Sequence, residues 1–444
     1  MPIVMKFGGT SVADAAAFEN VARIVDAERA AFPIVVVSAM SGVTDALLAA
    51  TPESLGPIFN RHLTAAEQLL QGSESGRFGD TVERAEAQVR ALLQTQGSSN
   101  RKSVQDAVVS FGEVLSSTLT AAVLNQRGVE ARQVDARRCI ITNDEHTCAA
   151  PLMRETFAHT QNELRPLLES GVVPVLGGFM GATTQGVTTT LGRGGSDYTA
   201  ALIGAALNVA EIQIWTDVTG VLTADPRVVP EAQTIERLSY SEAAELAYFG
   251  AKVLHPKTIQ PAIENSIPVR ICNSRLPHER GTVVGPQSET SPRTIKAIAH
   301  KTGVTIVQIT SARMLGAYGF LRALFEVFER HRTAVDVVTT SEVSVSLSLD
   351  EAGALPAIVE ELEQLGTVGT EKGRAIICVV GEGLRGTPGI AGRVFSAISD
   401  INVSLISQGA SSINFTFVIE EERVKEAVTR LHEEFFSHKE ARNA

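Results

Sequence analysis

With 444 residues, 44% hydrophobic and 20% charged, the chain is too long for one hydrophobic core, and two or three domains are expected. A net charge of -11 and the lack of a basic tract argue against nucleic acid as the main partner. Cys139, Cys148, Cys272 and Cys378 lie far apart with no CxxC pair, so they are read as ordinary thiols of a reducing cytoplasm, not as disulfides or zinc ligands. The residues before Lys6 are too few for a signal sequence, and the apolar runs 34–37 and 172–176 are strand-length, so no membrane crossing is expected.

The first apolar run, 2–7, predicts a strand that ends in Lys6, Phe7, Gly8, Gly9, Thr10 and Ser11. Adjacent glycines let backbone approach a ligand and aim N–H groups at anionic oxygens, and Lys6 adds a full charge, so the segment is read as a phosphate site. A tight strand-to-helix connection has the same sequence, and the spacing is not that of a Walker loop. A helix follows over 13–31, a strand over 33–40, a helical stretch over 52–96 with turn breaks at 72–79, and a helix over 103–124. Strands return at 129–136, 171–182, 186–192 and 210–218, with an Ala-rich helix over 197–207 directly behind a second glycine cluster. This alternation is an α/β pattern.

Beyond 285 the character changes. Residues 286–294 are rich in Pro, Ser and Thr and read as a linker. Two similar units follow, each strand, helix, strand, strand, helix: the first uses 304–312, 320–331, 334–341 and 343–349, and the second 375–383, 385–400, 401–410, 412–420 and a helix from 421 to about 436. The order and the glycine-opened helices resemble a tandem pair of ACT ligand-binding domains. The alternative is a ferredoxin-like structural or dimerising unit.

Candidate chemistry concentrates in the first 285 residues. In LGRGGSDYTA, Gly192, Gly194 and Gly195 surround Arg193 and lead into Ser196 and Asp197, which reads as an anion site at a helix N-terminus. Arg193 offers a planar fork for a carboxylate, whereas Asp197 in the first turn is equally suited to capping. In TDVTGVLTADPRVV, Thr216, Asp217, Asp225 and Arg227 follow a strand, although Asp-Pro turns are common. FGAKVLHP carries Lys252 and His255, SFGEVLSS carries Glu113, and SAMSGVTD carries Ser38, Ser41 and Thr44. Taken singly these are a surface lysine, a helix glutamate and loop hydroxyls. The nine histidines show no metal-ligand spacing; His432 and His438 are placed on a solvated helix, and His255 at a helix end.

In order, KFGGTSV, SAMSGVTD, SFGE, LGRGGSDYTAA, TDVTGVLTADPR and FGAKVLHP resemble the aspartate kinases over nearly the whole chain. The resemblance implies a three-layer α/β amino-acid kinase fold over 1–285, a linker over 286–300, and ferredoxin-like ACT domains over 301–370 and 371–444. MLGAYGFL with AVDVVTTSEVSVSLSLD is similar to the monofunctional, lysine-sensitive branch, and no fused homoserine dehydrogenase is expected after Ala444.

The implied reaction is phosphorylation of L-aspartate by ATP with Mg2+, at the head of lysine, threonine and methionine biosynthesis. Lys6 and Asp197, with Arg193, would be catalytic. Ser38, Thr44, Glu113, Arg193 and Ser196 would hold aspartate, with Glu113 on its ammonium and Arg193 on its α-carboxylate. Lys6, Gly8, Gly9, Thr10, Thr216, Asp217, Leu222, Asp225, Arg227, Lys252 and Val253 would hold ATP, with Leu222 standing where many relatives have a tyrosine.

An effector, lysine first, would sit at Met314, Ala317, Gly319, Phe320, Leu321, Val335, Asp336, Thr340 and Ser341, with Asp336 available for its ammonium. Ala317 replaces a serine of some lysine-inhibited relatives, a lost hydrogen bond worth about 1 kcal/mol. A homodimer or tetramer is implied. The rival readings are another amino-acid kinase, acting on glutamate or a related acid, and a non-catalytic amino-acid sensor.

Overall fold

The computed structural model describes residues 1–94, 101–250, 254–286, 294–350 and 353–437. They divide into two compact units. The first comprises 1–221, 236–240 and 254–286, and the second 222–235, 241–250 and the described residues from 294 onward.

The strands of the first unit are β1 (Ile3–Phe7), β2 (Pro33–Val37), β3 (Ala131–Val134), β4 (Ile141–Thr142), β5 (Val173–Gly177), β6 (Met180–Thr183), β7 (Thr188–Thr190), β8 (Glu211–Thr216), β9 (Arg237–Ser239), β10 (Val269–Asn273) and β11 (Thr282–Gly285). Eight form one sheet in the order β3-β5-β2-β1-β8-β10-β11-β9, and β4-β6-β7 form a small second sheet. The helices through residue 264 are α1 (Ala15–Ala27), α2 (Val43–Leu48), α3 (Leu55–Leu69), α4 (Ser73–Gln94), α5 (Arg101–Gln126), α6 (Met153–Glu169), α7 (Gly195–Leu207), α8 (Tyr240–Tyr248) and α9 (Gln260–Glu264).

β1 shows how the layers arise. Its side chains alternate, so Ile3, Met5 and Phe7 enter a core shared with α1, α3, α4 and α5, while Val4 and Lys6 face the other side. That other side is covered by α7, an Ala-rich helix buried nearly all round. At Gly204 a Cβ would stand 2.7 Å from Ile212 Cδ1, so glycine there lets α7 lie close on β8. β1 runs parallel to β2 on one flank and to β8 on the other. It is therefore the switch point of the sheet, and the crevice beyond its C-terminal end is where such a fold accepts ligands.

The second unit holds one six-stranded sheet, made of β12 (Ile295–Thr310), β13 (Val338–Thr340), β14 (Ser344–Leu349), β15 (Thr367–Gly381), β16 (Leu405–Gln408) and β17 (Asn414–Glu420), in the order β13-β14-β12-β15-β17-β16. Its helices are α10 (Phe320–Arg330), α11 (Leu355–Leu362), α12 (Ile390–Ala397) and α13 (Val424–Phe436). The order β12-α10-β13-β14-α11 then β15-α12-β16-β17-α13 is the strand, helix, strand, strand, helix repeat expected from the sequence, and the antiparallel pair β12–β15 joins the two repeats.

Several expectations are corrected. The linker does not extend to 300, because Ile295 already pairs with Gly381 in the sheet. Of the break expected at 72–79 only its start is present: Gly72, at φ +62°, turns the chain between α3 and α4, and α4 then runs from Ser73 through Gly76 and Gly79. The strand expected over 334–341 shrinks to β13. His432 is 6% exposed rather than solvated: its Nε2 is 2.9 Å from Thr223 Oγ1 and its ring stacks on Phe436. His438 lies outside the described residues. α5 is long and apolar enough to cross a membrane by composition, yet 72% of its apolar window is buried in the first unit.

Residues 241–250 join the second unit through one face of α8. Glu242 pairs with Lys296 at 2.9 Å, Glu245 accepts from Asn414 Nδ2 at 2.8 Å, and the Tyr248 hydroxyl donates to Asp336. At Gly250, φ is +124° and a Cβ would stand 2.4 Å from His300 O. Since the Glu242–Lys296 pair is 1% and 4% exposed, Glu242→Ala strands a buried ammonium. We expect it to lower stability by about 3–5 kcal/mol, read by calorimetry as a lower melting temperature of the second unit than Ser241→Ala gives.

Candidate active site

At the C-terminal ends of β1, β2, β5 and β8 lies a cavity of about 800 Å³. The register aligns Phe7 with Val37 and Trp215, and Val37 with Gly177, so the loops that leave these strands converge on it. Lys6, Gly8, Gly9, Thr10, Ser38, Thr44, Glu113, Arg193, Ser196, Asp197, Thr216 and Asp217 all line it. Scattered over more than 200 positions, these sequence candidates meet in one place.

Lys6 leaves β1 on the face that α7 covers, and its Nζ lies 2.6 Å from Asp197 Oδ1 in the first turn of α7. Asp197 is thus engaged in orienting a cation. The helix N-cap is Gly194, at φ +73°, and carries no side-chain cap bond. A Cβ at Gly194 would meet Thr258 Cγ2 at 2.6 Å, and one at Gly178 would meet Ser196 at 2.6 Å, so glycines let the N-terminus of α7 approach the cavity. Its backbone N–H groups and dipole favour anions there. Arg193 is exposed beside that terminus, and among the described residues no carboxylate pairs with it. The glycine turn after β1 differs from expectation in one respect: the Gly8 N–H donates to Trp215 O at 3.1 Å, so Gly8 presents no amide to an anion.

Glu113 lies on α5, 3% exposed, and its Oε2 is buried without a hydrogen-bond partner. Burial pushes its carboxyl up to about 8, against the opposing effect of a backbone hydrogen bond at Ala39. An acid with an orphaned oxygen in a cavity wall is poised to receive a cation.

The remaining candidates are placed elsewhere. Leu222, Asp225 and Arg227 belong to the second unit, and none lines the cavity. Leu222 bridges Thr234, and Arg227 is held in a fork by Asp225, with an Nη2–Oδ2 distance of 2.6 Å that lowers the Asp225 carboxyl. Lys252 and Val253 lie outside the described residues. His255 starts a short 3-10 helix, where its Nδ1 accepts from the Lys257 N–H, so it opens a helix. Among the described residues no three His, Cys, Asp or Glu side chains cluster as metal ligands.

Sequence reasoning missed Gln105, Asp106, Thr147, Phe179 and Thr190, which also line the cavity. Asp106 had a legible signal: it stands seven residues before Glu113, on the same face of one helix.

In the second unit, Met314, Phe320 and Val335 pack against one core cluster. Gly319 caps α10 at φ +85°, Ala317 and Leu321 are exposed nearby in the chain, and Thr340 ends β13 with Ser341 just after it, its Oγ 2.6 Å from Ser344 Oγ. The sequence reading leaves Asp336 available for an ammonium, but in the structure this carboxylate is already engaged. Its side chain is 2% exposed, accepts from Tyr248, and lies 3.1 Å from the Lys301 ammonium, which also pairs with Asp350. Burial and the neighbouring Asp336 raise the Asp350 carboxyl.

This sheet, switch-point cavity and glycine-opened helix define a kinase of the amino-acid kinase family, whose pattern matches residues 1–273, with an ACT domain matched at 377–435. Aspartokinase 3, chloroplastic, of Arabidopsis thaliana is 40% identical over 98% of this chain and 81% of its own length. Aspartokinase III of E. coli, solved with aspartate and ADP in an R-state, superposes with a TM-score of 0.82 at 36% identity, covering 98% of this chain and 100% of that one. Solved with lysine and aspartate in a T-state, it superposes at 0.83 with 37% identity, covering 98% and 99%. The chain belongs to the aspartokinases.

Because folding raises the Glu113 carboxyl from 4.5 to about 8, the folded state keeps a proton that the unfolded chain releases. Its contribution to stability is therefore fullest below 4.5 and declines as pH rises toward 8, by about 1.4 kcal/mol per pH unit. Denaturant titrations between pH 5 and 8 are expected to show a shallower pH dependence for Glu113→Gln than for the unmodified protein.

Proposed function

We propose that the chain transfers the γ-phosphoryl group of ATP to the β-carboxylate of L-aspartate, giving ADP and 4-phospho-L-aspartate, at the head of lysine, threonine and methionine biosynthesis. The observation that carries this is the convergence, in one cavity, of an orphaned buried carboxyl (Glu113), a guanidinium with no carboxylate partner among the described residues (Arg193) and a held ammonium (Lys6). They suit, in turn, the substrate's ammonium, its α-carboxylate and the transferred phosphoryl oxygens. Ser38, Thr44 and Ser196 offer hydroxyls beside them, and Thr216 and Asp217, which line the same cavity, are read as contacts of the nucleotide.

The β-carboxylate of aspartate is already ionised near neutral pH and needs no general base. That agrees with a cavity lined, among the described residues, by no histidine or cysteine. What this chemistry requires is alignment of two anions and cancellation of the charge on the moving group. Lys6 supplies charge at a position fixed by Asp197, the α7 N-terminus adds oriented N–H groups, and Arg193 with Glu113 grips the acceptor at both ends of its backbone. Mg2+ would enter with the nucleotide, held by phosphate oxygens, water and a cavity carboxylate, and would spread the phosphate charge. With Asp197 paired to Lys6, the cavity offers the Asp217 carboxylate for this and, among the described residues, no cluster that would cage the ion, as such an ion prefers.

The second unit is read as an amino-acid sensor with lysine as effector, at Met314, Ala317, Gly319, Phe320, Leu321, Val335, Asp336, Thr340 and Ser341. The lysine-bound relative supports this, as does the buried carboxylate of Asp336. An effector ammonium reaches Asp336 only by displacing or joining Lys301. Exposed Leu315, Tyr318, Val338 and Ile406 support a homodimer or tetramer. Free cysteines support a cytoplasmic setting.

With ATP, magnesium and L-aspartate, trapping by hydroxylamine is expected to yield a hydroxamate that L-glutamate does not; hydroxamate from glutamate alone, or none, contradicts the reading. Lys6→Ala is expected to lower kcat by about 10²–10³-fold with the melting temperature kept within a few degrees. In the same assay, Asp336→Ala is expected to raise the lysine concentration for half-inhibition at least about tenfold, the loss of one charge-assisted contact.

A further inference from the structure

We propose that Asp106 is a positioning residue for the aspartate carboxylate: through Thr190 and the Thr147 backbone it fixes the wall from which Arg193 projects. This rests on the reading that Arg193 holds the substrate α-carboxylate.

Asp106 lines the cavity on α5 and is 1% exposed. Its Oδ1 accepts from Thr190 Oγ1 at 2.6 Å, its two oxygens accept from the Thr147 N–H at 3.2 and 3.0 Å, and Oδ2 lies 2.8 Å from His146 Nδ1. One carboxylate thereby joins three separate pieces of chain: α5, the loop at 146–147 and the end of β7. Thr190 is also held from behind, since its carbonyl accepts from Ala149 N–H at 2.8 Å, and Thr189 shares a 2.7 Å hydroxyl contact with Thr142. Two residues past Thr190, Gly192 turns at φ +75° so close to the same loop that a Cβ would stand 3.3 Å from Thr147 O. Arg193 follows at once, so the chain that leads into it is located, at Thr190 and at Gly192, by atoms that Asp106 holds.

The placement is otherwise hard to explain. A buried ionic group contributes little net stability compared with packed apolar side chains, and a carboxylate in the wall of an anion-binding cavity repels its ligands unless donors absorb its charge. Here the donors do absorb it, and what remains is geometry. A shift of about 1 Å in a guanidinium fork costs up to about 10²-fold in a well-aligned site.

The test measures KM for aspartate, KM for ATP and kcat in Asp106→Asn, Thr190→Val, Thr190→Ser and Arg193→Ala. Asp106→Asn keeps the shape but turns an amide toward donors, and is expected to raise KM for aspartate about tenfold or more with KM for ATP within about twofold. Thr190→Val is expected to raise it in the same selective way and Thr190→Ser to restore it. The double variant Asp106→Asn/Thr190→Val should be no worse than Asp106→Asn alone, as expected of one network.

Both KM values rising together, an unchanged KM for aspartate, or failure of Thr190→Ser to restore what Thr190→Val loses overturns the proposal. If Asp106→Asn does not fold, the Thr190 pair decides it. An unchanged KM for aspartate in Arg193→Ala instead overturns the underlying reading of the site, whatever the Asp106 variants do.

Discussion

Charge balance in the cavity is the constraint on which the rest depends. Phosphoryl transfer from a nucleotide to a carboxylate brings two anions together, yet among the described residues the cavity is lined by Asp45, Asp106, Glu113, Asp197 and Asp217 against Lys6 and Arg193 as cations. Three devices reduce the deficit. Asp197 is paired with Lys6 and serves to aim it. Asp106 is held by donors from the 146–147 loop and from the end of β7. Glu113 is buried enough to keep its proton at neutral pH, so it adds no negative charge until an ammonium arrives to stabilise its ionised form. Beside these, the N-terminus of α7 supplies positive potential with no titratable group. The fold makes all this possible at one spot because β1 is flanked by parallel partners on both sides, so that the loops after four strands open into the same crevice.

The local parts of this site were legible in the sequence, and the long-range parts were not. Lys6 followed by two glycines, and Arg193 with Gly192, Gly194 and Gly195, declare themselves because the chemistry lies within a few consecutive residues. The burial that makes Glu113 an acid of about 8 depends on a sheet and a helix layer assembled from distant segments, so only its place behind Gly112 was visible. Asp106 was legible only as a polar residue on the helix face of Glu113; what its carboxylate holds was not, since its partners sit 40 to 84 positions away. Asp225 and Arg227 were read with the kinase segment because they follow β8 directly, but residues 222–235 pack into the second unit, where Ala224 and Val229 join its core. His432, spaced like a surface residue on α13, is buried because Thr223 meets it from more than 200 positions away.

In the second unit the repeat pattern was readable because each repeat uses the same alternation of strand and amphipathic helix. The role of α8 was not. Glu242, Glu245 and Tyr248 recur at helical spacing, an ordinary polar face by sequence, and each finds a partner on a different piece of the second unit: Lys296, Asn414 and Asp336. Asp336 is thus shared between the end of α8 and Lys301, at the position read as the effector's ammonium contact. A ligand that changes the partners of Asp336 changes the anchoring of α8 within this unit, which gives sensing a physical handle.

The central claim is that Glu113 waits as a neutral acid and ionises on the substrate ammonium. It is tested most directly by calorimetric titration of L-aspartate into the full chain at pH 7, in buffers of different ionisation enthalpy. With a carboxyl at about 8 in the free protein, binding is predicted to release close to one proton, about 0.9 by the ionisation equilibrium, and Glu113→Gln should release none in excess of the buffer blank. Aspartate binding with no proton release in the unmodified protein would contradict the account.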